Sequence, residues 1–155
     1  GFTIIELLIT VAVAGILAAV GIPALGEFIK SNRITTQAND IMTSLNYARN
    51  ETINRGTDIV IEPIAGSDWS TGWKVSDSGT VIKNFDAIEG ATLSGKILPS
   101  TALTSITYES EGNISGTATI ELTLTASSCT TGKEYIRTIT IVPSGHSRVT
   151  RSICP

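Results

Sequence analysis

From Leu7 to Gly26 the chain reads LLITVAVAGILAAVGIPALG, 20 residues without a charge. Wound as a helix, that run is about 30 Å long, enough to cross the hydrocarbon core of a bilayer. A buried core helix would show a polar face somewhere in the stretch, and none appears. The run is too long for the apolar part of a secretory signal and lacks its basic flank, and no small-residue cleavage site with a mature domain follows. The sequence therefore predicts a membrane-inserted helix over residues 1–26.

Two features mark this helix out. Glu6 stands at the edge of the apolar run, where a carboxylate at bilayer depth costs roughly 2.5–3.5 kcal/mol and is usually paired. The plainer reading is a side chain that reaches the headgroups. Gly15 and Pro23 interrupt the run; Pro23 removes a backbone donor and crowds the preceding turn, so a helix break is expected between them.

Beyond Pro23 the pattern stays helical but becomes amphipathic over residues 27–56. Ile34, Ala38, Ile41, Leu45, Ala48 and Thr52 recur at spacings of four and three, a single stripe, while Lys30, Arg33, Asp40, Arg49 and Glu51 lie off it. Gly56, preceded by Arg55, is the expected stop. One helix of roughly 50 residues thus leaves a membrane and lays its stripe on a globular head.

Residues 57–155 read as that head. The segments TDIVIEP, GWKVSD, TVIKNF, SITYE, TATIELTLTA, YIRTITIVP and SRVTRSI are separated by Gly, Ser, Asp and Asn clusters. In the clearest, Ala118, Ile120, Leu122, Leu124 and Ala126 alternate with polar residues, one face for a core and one for water. Ser and Thr supply 38 of the 155 residues, which suits a Thr-rich sheet. The predicted class is α+β: a long N-terminal helix, half membrane and half amphipathic, packed on a C-terminal antiparallel β-sheet head. Trp69 and Trp73 are expected as core anchors rather than exposed platforms for bases.

Charge is unevenly placed. The net charge is −3, which argues against a wholly basic nucleic-acid binder. Residues 57–128 carry −6, however, and residues 129–155 carry +3. One His and two Cys are too few for a zinc cluster, and no cofactor-binding motif or catalytic constellation appears, so the chain does not read as an enzyme.

The opening GFTIIELLITVAVAGILAAVGIPAL resembles the N-terminal motif of type IV pilins and type II secretion pseudopilins: Gly, Phe, a short apolar run, then Glu at the fifth place after the Gly. NDIMTSLNYARNETINRG, WSTGWKV, ITYESEGNISG and IRTITIVPSGHSR further resemble the GspH/FimT group of that family. The resemblance implies a pilin-like fold and a minor pilin of the pilus tip or initiation complex. A leader would be removed by a prepilin peptidase after Gly1, and the new amino terminus at Phe2 would be methylated. Glu6 would meet the amino terminus of a subunit during assembly, and the Gly15–Pro23 segment would unwind in the filament. The partners implied are other major and minor pilins, the peptidase and the bacterial inner membrane, with the head in the periplasm before the subunit enters an extracellular pilus. A pseudopilin of type II secretion is the alternative within the same group.

Cys129 and Cys154 bracket 24 residues. In an exported head an even count favours a disulfide, against two buried thiols. Closing that loop stabilises a head by roughly 3.5 kcal/mol. A paired C-terminal loop looks more like a minor pilin than a pseudopilin. Lys133, Arg137, His146, Arg148 and Arg151 lie inside this loop and are candidates for double-stranded DNA phosphates. Some FimT-like pilins bind DNA through a Gly-Arg-x-Arg motif; here the matching places hold Gly145, His146, Ser147 and Arg148. In a strand, Arg148 and Arg151 point to opposite faces because their separation is odd. The competing reading is a sheet edge kept soluble by charge.

Overall fold

The computed structural model describes Gly1 and residues 3–155; Phe2, the expected methylation site, lies outside the described residues. Helix α1 spans Ile4–Arg55. The chain divides into two units, Gly1–Arg33 and Ile34–Pro155.

In the first unit every large apolar side chain described from Ile4 to Ile29 is exposed. This is the single described helix long and apolar enough to cross a membrane. The helix is continuous through Gly15 and Pro23, so the expected break is absent. The physical reason is local: proline deletes one backbone donor, and the bonds on either side carry the helix past it.

In the second unit the stripe read from the sequence is the buried face of α1. Ile34, Ala38, Ile41, Leu45, Ala48 and Thr52 are all at most 2% exposed, joined by Ser44, whose Oγ donates to the Ile41 carbonyl at 2.7 Å. The helix stops where expected: Gly56 takes a left-handed φ of 66°, and its N–H donates to the Thr52 carbonyl at 2.9 Å.

Nine strands follow in two antiparallel sheets. The first holds β1 (Ile59–Ala65), β2 (Asp68–Asp77), β3 (Thr80–Phe85) and β6 (Ile106–Tyr108), in the order β3-β2-β1-β6. The second holds β4 (Ala91–Ile97), β5 (Thr101–Ala102), β7 (Ile120–Ala126), β8 (Ile136–Ile141) and β9 (Ser147–Ser152), in the order β5-β4-β7-β8-β9. In β7, Ile120, Leu122, Leu124 and Ala126 are buried as their alternation predicts; Ala118 lies before the strand and is half-buried.

Strands β4 and β5 are absent from the sequence reading. In β4, Ala91 and Leu93 face the core but Gly95 takes the next inward place. A Cβ at Gly95 would sit 2.8 Å from Leu103 Cδ2 and 3.1 Å from Leu122 Cδ2, so larger neighbours fill its space. One core joins both sheets and the stripe of α1, and it includes Trp69 and Trp73, each 2% exposed. Trp69 Nε1 donates to the Leu103 carbonyl at 2.9 Å.

Candidate assembly segment and C-terminal hairpin

The N-terminal candidate begins with a motif that the sequence reading missed. Thr3-x-x-Glu6 is a capping box: Glu6 Oε2 accepts from Thr3 N and Thr3 Oγ1, both at 2.9 Å, while Thr3 Oγ1 accepts from Glu6 N at 3.3 Å. The spacing of Thr and Glu before an apolar run was the available signal. Glu6 therefore has a local role, closing orphan donors at the start of α1. Both bonds from Thr3 fall on Oε2, and no bond to Oε1 is formed among the described residues. Gly1 is exposed.

The C-terminal candidate is the β8–β9 hairpin with the segments that close its two ends. At one end Cys129 and Cys154 form a disulfide with a Cα–Cα distance of 5.6 Å. Backbone bonds support it: Cys154 N donates to the Lys133 carbonyl at 2.8 Å and Gly132 N to the Cys154 carbonyl at 3.1 Å. At the other end the turn carries His146. Arg49 of α1 holds that turn, its Nε donating to the Gly112 carbonyl at 3.0 Å and its Nη2 to the Ser144 carbonyl at 3.4 Å. Arg49 Nη1 lies 3.4 Å from His146 Nδ1, a bond that requires Nδ1 to be the unprotonated ring nitrogen. Gly145 fits here only as glycine: its φ is 77°, and a Cβ would collide with the Gly112 carbonyl oxygen. Arg49 is a second residue the sequence reading missed, since 97 positions separate it from His146.

The hairpin does not gather the five basic candidates into one surface. Lys133 lies beside the disulfide and His146 at the opposite turn, separated by six-residue strands of about 20 Å. Arg137 is 3% exposed, which removes it as a phosphate contact. The reason is its place in the alternation: with Ile139 and Ile141 it faces the core. Its Nη1 donates to the carbonyls of Glu134 (2.7 Å) and Ile136 (3.1 Å), and its Nη2 to Thr35 Oγ1 at 3.4 Å. Burial, with a smaller contribution from neighbouring Arg151, pushes its pKa below the ordinary arginine value.

Arg151 pairs directly across from Arg137, and Arg148 across from Thr140, in a ladder without a bulge. Arg151 is therefore on the sheet face of Arg137, and Arg148 is on the other. Both are exposed, and neither makes an ion pair among the described residues.

A helix with a bare apolar N-terminal half, whose remaining stripe packs on antiparallel sheets closed by a C-terminal disulfide, defines the pilin-like α+β class. The family profile of the type II transport protein GspH matches residues 37–145, and the chain belongs to that family of minor pilins and pseudopilins. Solved structures of minor pilins and pseudopilins share the fold. The type IV minor pilin FimU of Pseudomonas aeruginosa superimposes with a TM-score of 0.65 at 20% identity, over 79% of this chain and 92% of FimU. The minor pseudopilin EpsH of the Vibrio cholerae type 2 secretion system gives 0.55 at 14% identity, over 77% of this chain and 97% of EpsH.

Proposed function

We propose that this chain is a minor type IV pilin: cleaved after Gly1 by a prepilin peptidase, methylated at Phe2, held in the bacterial inner membrane with its head in the periplasm, and drawn into the tip or initiation complex of an extracellular pilus. The observation that carries the reading is the exposure of every large apolar side chain described from Ile4 to Ile29 in a member of the GspH family. Water cannot be the solvent for such a surface; lipid before assembly and neighbouring helices after it can. At the head of that surface, Glu6 offers Oε1 to the ammonium of another subunit while Oε2 stays on its own cap. Unwinding between Gly15 and Pro23, absent from the helix described here, belongs to the assembled state in this reading.

The disulfide favours the pilus over the secretion pseudopilus, on the resemblance of the paired loop to minor pilins. The test is a deletion strain scored for both machineries. Loss of surface pili with normal secretion, restored by the intact chain and with that chain recovered in sheared pili, is the expected result. Normal piliation with lost secretion would instead place the chain in a type II pseudopilus.

A further inference from the structure

The two sheets end in the edge strands β3, β5, β6 and β9, and the first three are closed to an added strand. Strand β5 has two residues. Strand β6 has three, and the Thr107 carbonyl on its outer side is taken by Ser115 N at 2.8 Å. Strand β3 is bulged: Lys83 pairs with Val75 but Val81 with the adjacent Ser76, which leaves Ile82 unpaired. Shortness, cover and bulges are how sheets blunt their edges, and β9 has none of these protections. It runs six residues without a proline, and all six pair with β8 in one unbroken register.

The register fixes which backbone groups are free. At the hairpin turn Val142 N donates to the His146 carbonyl at 3.0 Å, so these two residues form a hydrogen-bonded pair. Bonded and non-bonded pairs alternate along an antiparallel ladder. Arg148, Thr150 and Ser152 therefore turn their backbone groups to Thr140, Thr138 and Ile136, while Ser147, Val149 and Arg151 turn theirs outward. No further strand takes these up, since β9 pairs with β8 alone.

The side chains select what pairs there. Arg148 and Arg151 flank the open edge on opposite faces, exposed and without an ion pair among the described residues. Ser147–Ser152 contains no acid, so a second β9 would set like charges side by side. A nucleic-acid duplex along one face meets one arginine and leaves the backbone edge unanswered. An extended acidic strand meets all of it: its main chain pairs the edge, and carboxylates three positions apart reach the two faces.

We propose that the open edge of β9 takes up an extended acidic segment of a neighbouring protein chain by strand addition. Main-chain bonds form at Ser147, Val149 and Arg151, and carboxylates of the segment meet Arg148 on one face and Arg151 on the other. The site stands on the geometry of the head, and its failure leaves the Glu6 reading untouched.

The test uses the full chain, ¹⁵N-labelled, in non-ionic maltoside micelles at low salt, titrated with acetyl-Thr-Glu-Val-Thr-Glu-Thr-amide. The controls are the analogue with both Glu replaced by Gln, the acidic peptide N-methylated at each internal amide, and a short DNA duplex. The acidic peptide is expected to shift the Ser147, Val149 and Arg151 amides saturably by about 2 mM and to slow their hydrogen exchange. The Gln peptide should bind at least about tenfold more weakly. Arg148→Ala/Arg151→Ala should lose the acidic preference while keeping the spectral dispersion of the folded head. Equal binding of the acidic and Gln peptides, undiminished binding of the N-methylated one, or no saturable shift by that concentration would each overturn the proposal. Shifts with the duplex and with neither unmethylated peptide would also overturn it and make the two arginines a phosphate surface.

Discussion

The two parts of α1 carry similar apolar residues to opposite ends. Between Ile4 and Ile29 the apolar side chains cover the whole circumference and every large one described is exposed; from Ile34 to Thr52 they form one stripe and all of it is buried. The difference lies in periodicity rather than in hydrophobicity. An all-round apolar surface cannot be covered by a single sheet and calls for a surrounding solvent of lipid or helices, whereas a stripe of about 100° is matched by one packed face. Helical continuity thus says little about function; the distribution of side chains around the helix says a great deal.

The largest effect expected is on Glu6, where the bare region meets its proposed partner. Glu6→Ala removes both the cap and the charge, and Glu6→Gln keeps a side chain able to accept in a capping box while removing the charge. Both variants should insert in the membrane, and both should fall at least about tenfold in sheared pili, because only the charge answers an ammonium. Cap loss alone costs about 1 kcal/mol and cannot exclude a subunit. Glu6→Gln recovered at the level of the intact chain would reduce Glu6 to a helix cap.

The head should respond to a different lesion. Cys129→Ser/Cys154→Ser reopens the loop that the disulfide closes and is expected to destabilise the head by roughly 3.5 kcal/mol, read by denaturant unfolding in micelles. Membrane insertion of the apolar segment should be unchanged. Coupled loss of both would show that the bare segment depends on the folded head.

What was legible in the sequence follows from how local each signal is. The stripe from Ile34 to Thr52 and the alternation in β7 are periodic patterns within one element, and both are found where expected. Strand β4 is obscured because Gly95 stands where a large apolar residue would complete its pattern, and the reason, Leu103 and Leu122, lies elsewhere in the chain. The charge of Arg137 suggests a surface, yet its parity with Ile139 and Ile141 already placed it inward. Pattern outweighed residue type there. The contact of Arg49 with His146 and the pairing of Gln37 with Glu89 join distant segments, and no local rule reaches them. The two-sheet order is non-local in the same way.

A smaller effect tests how dry the head's core is. Tyr108 is fully buried, its hydroxyl has no partner among the described residues, and burial raises its pKa from the ordinary 10.0 to about 12. The folded state favours the neutral phenol, so that contribution is complete below pH 10 and is lost as the pH rises towards 12. A rise from 10.0 to about 12 corresponds to about 2–3 kcal/mol. Tyr108→Phe should remove this part of the alkaline destabilisation and leave stability at pH 7 equal or slightly improved, since no hydrogen bond is lost. Unfolding curves at pH 7 and 11 compare the two proteins directly. A large loss at pH 7 would reveal a partner for the hydroxyl.

The smallest expected effect concerns the arginines of β9. Arg148 and Arg151 are exposed without ion pairs among the described residues, so replacing either with Ala should change head stability by less than about 0.5 kcal/mol. Their effect on double-stranded DNA binding is the sharper measurement. Each phosphate contact contributes about 0.9 to the slope of log K against log salt. Arg137 is buried, and Arg148 and Arg151 lie on opposite faces of a regular ladder, so a duplex lying along one sheet face meets one of them. Removing both should therefore lower the slope of any binding by about one. A fall of about two would mean that DNA wraps the sheet edge and engages both faces, and the exposed hairpin would then be a nucleic-acid surface alongside the bare N-terminal segment.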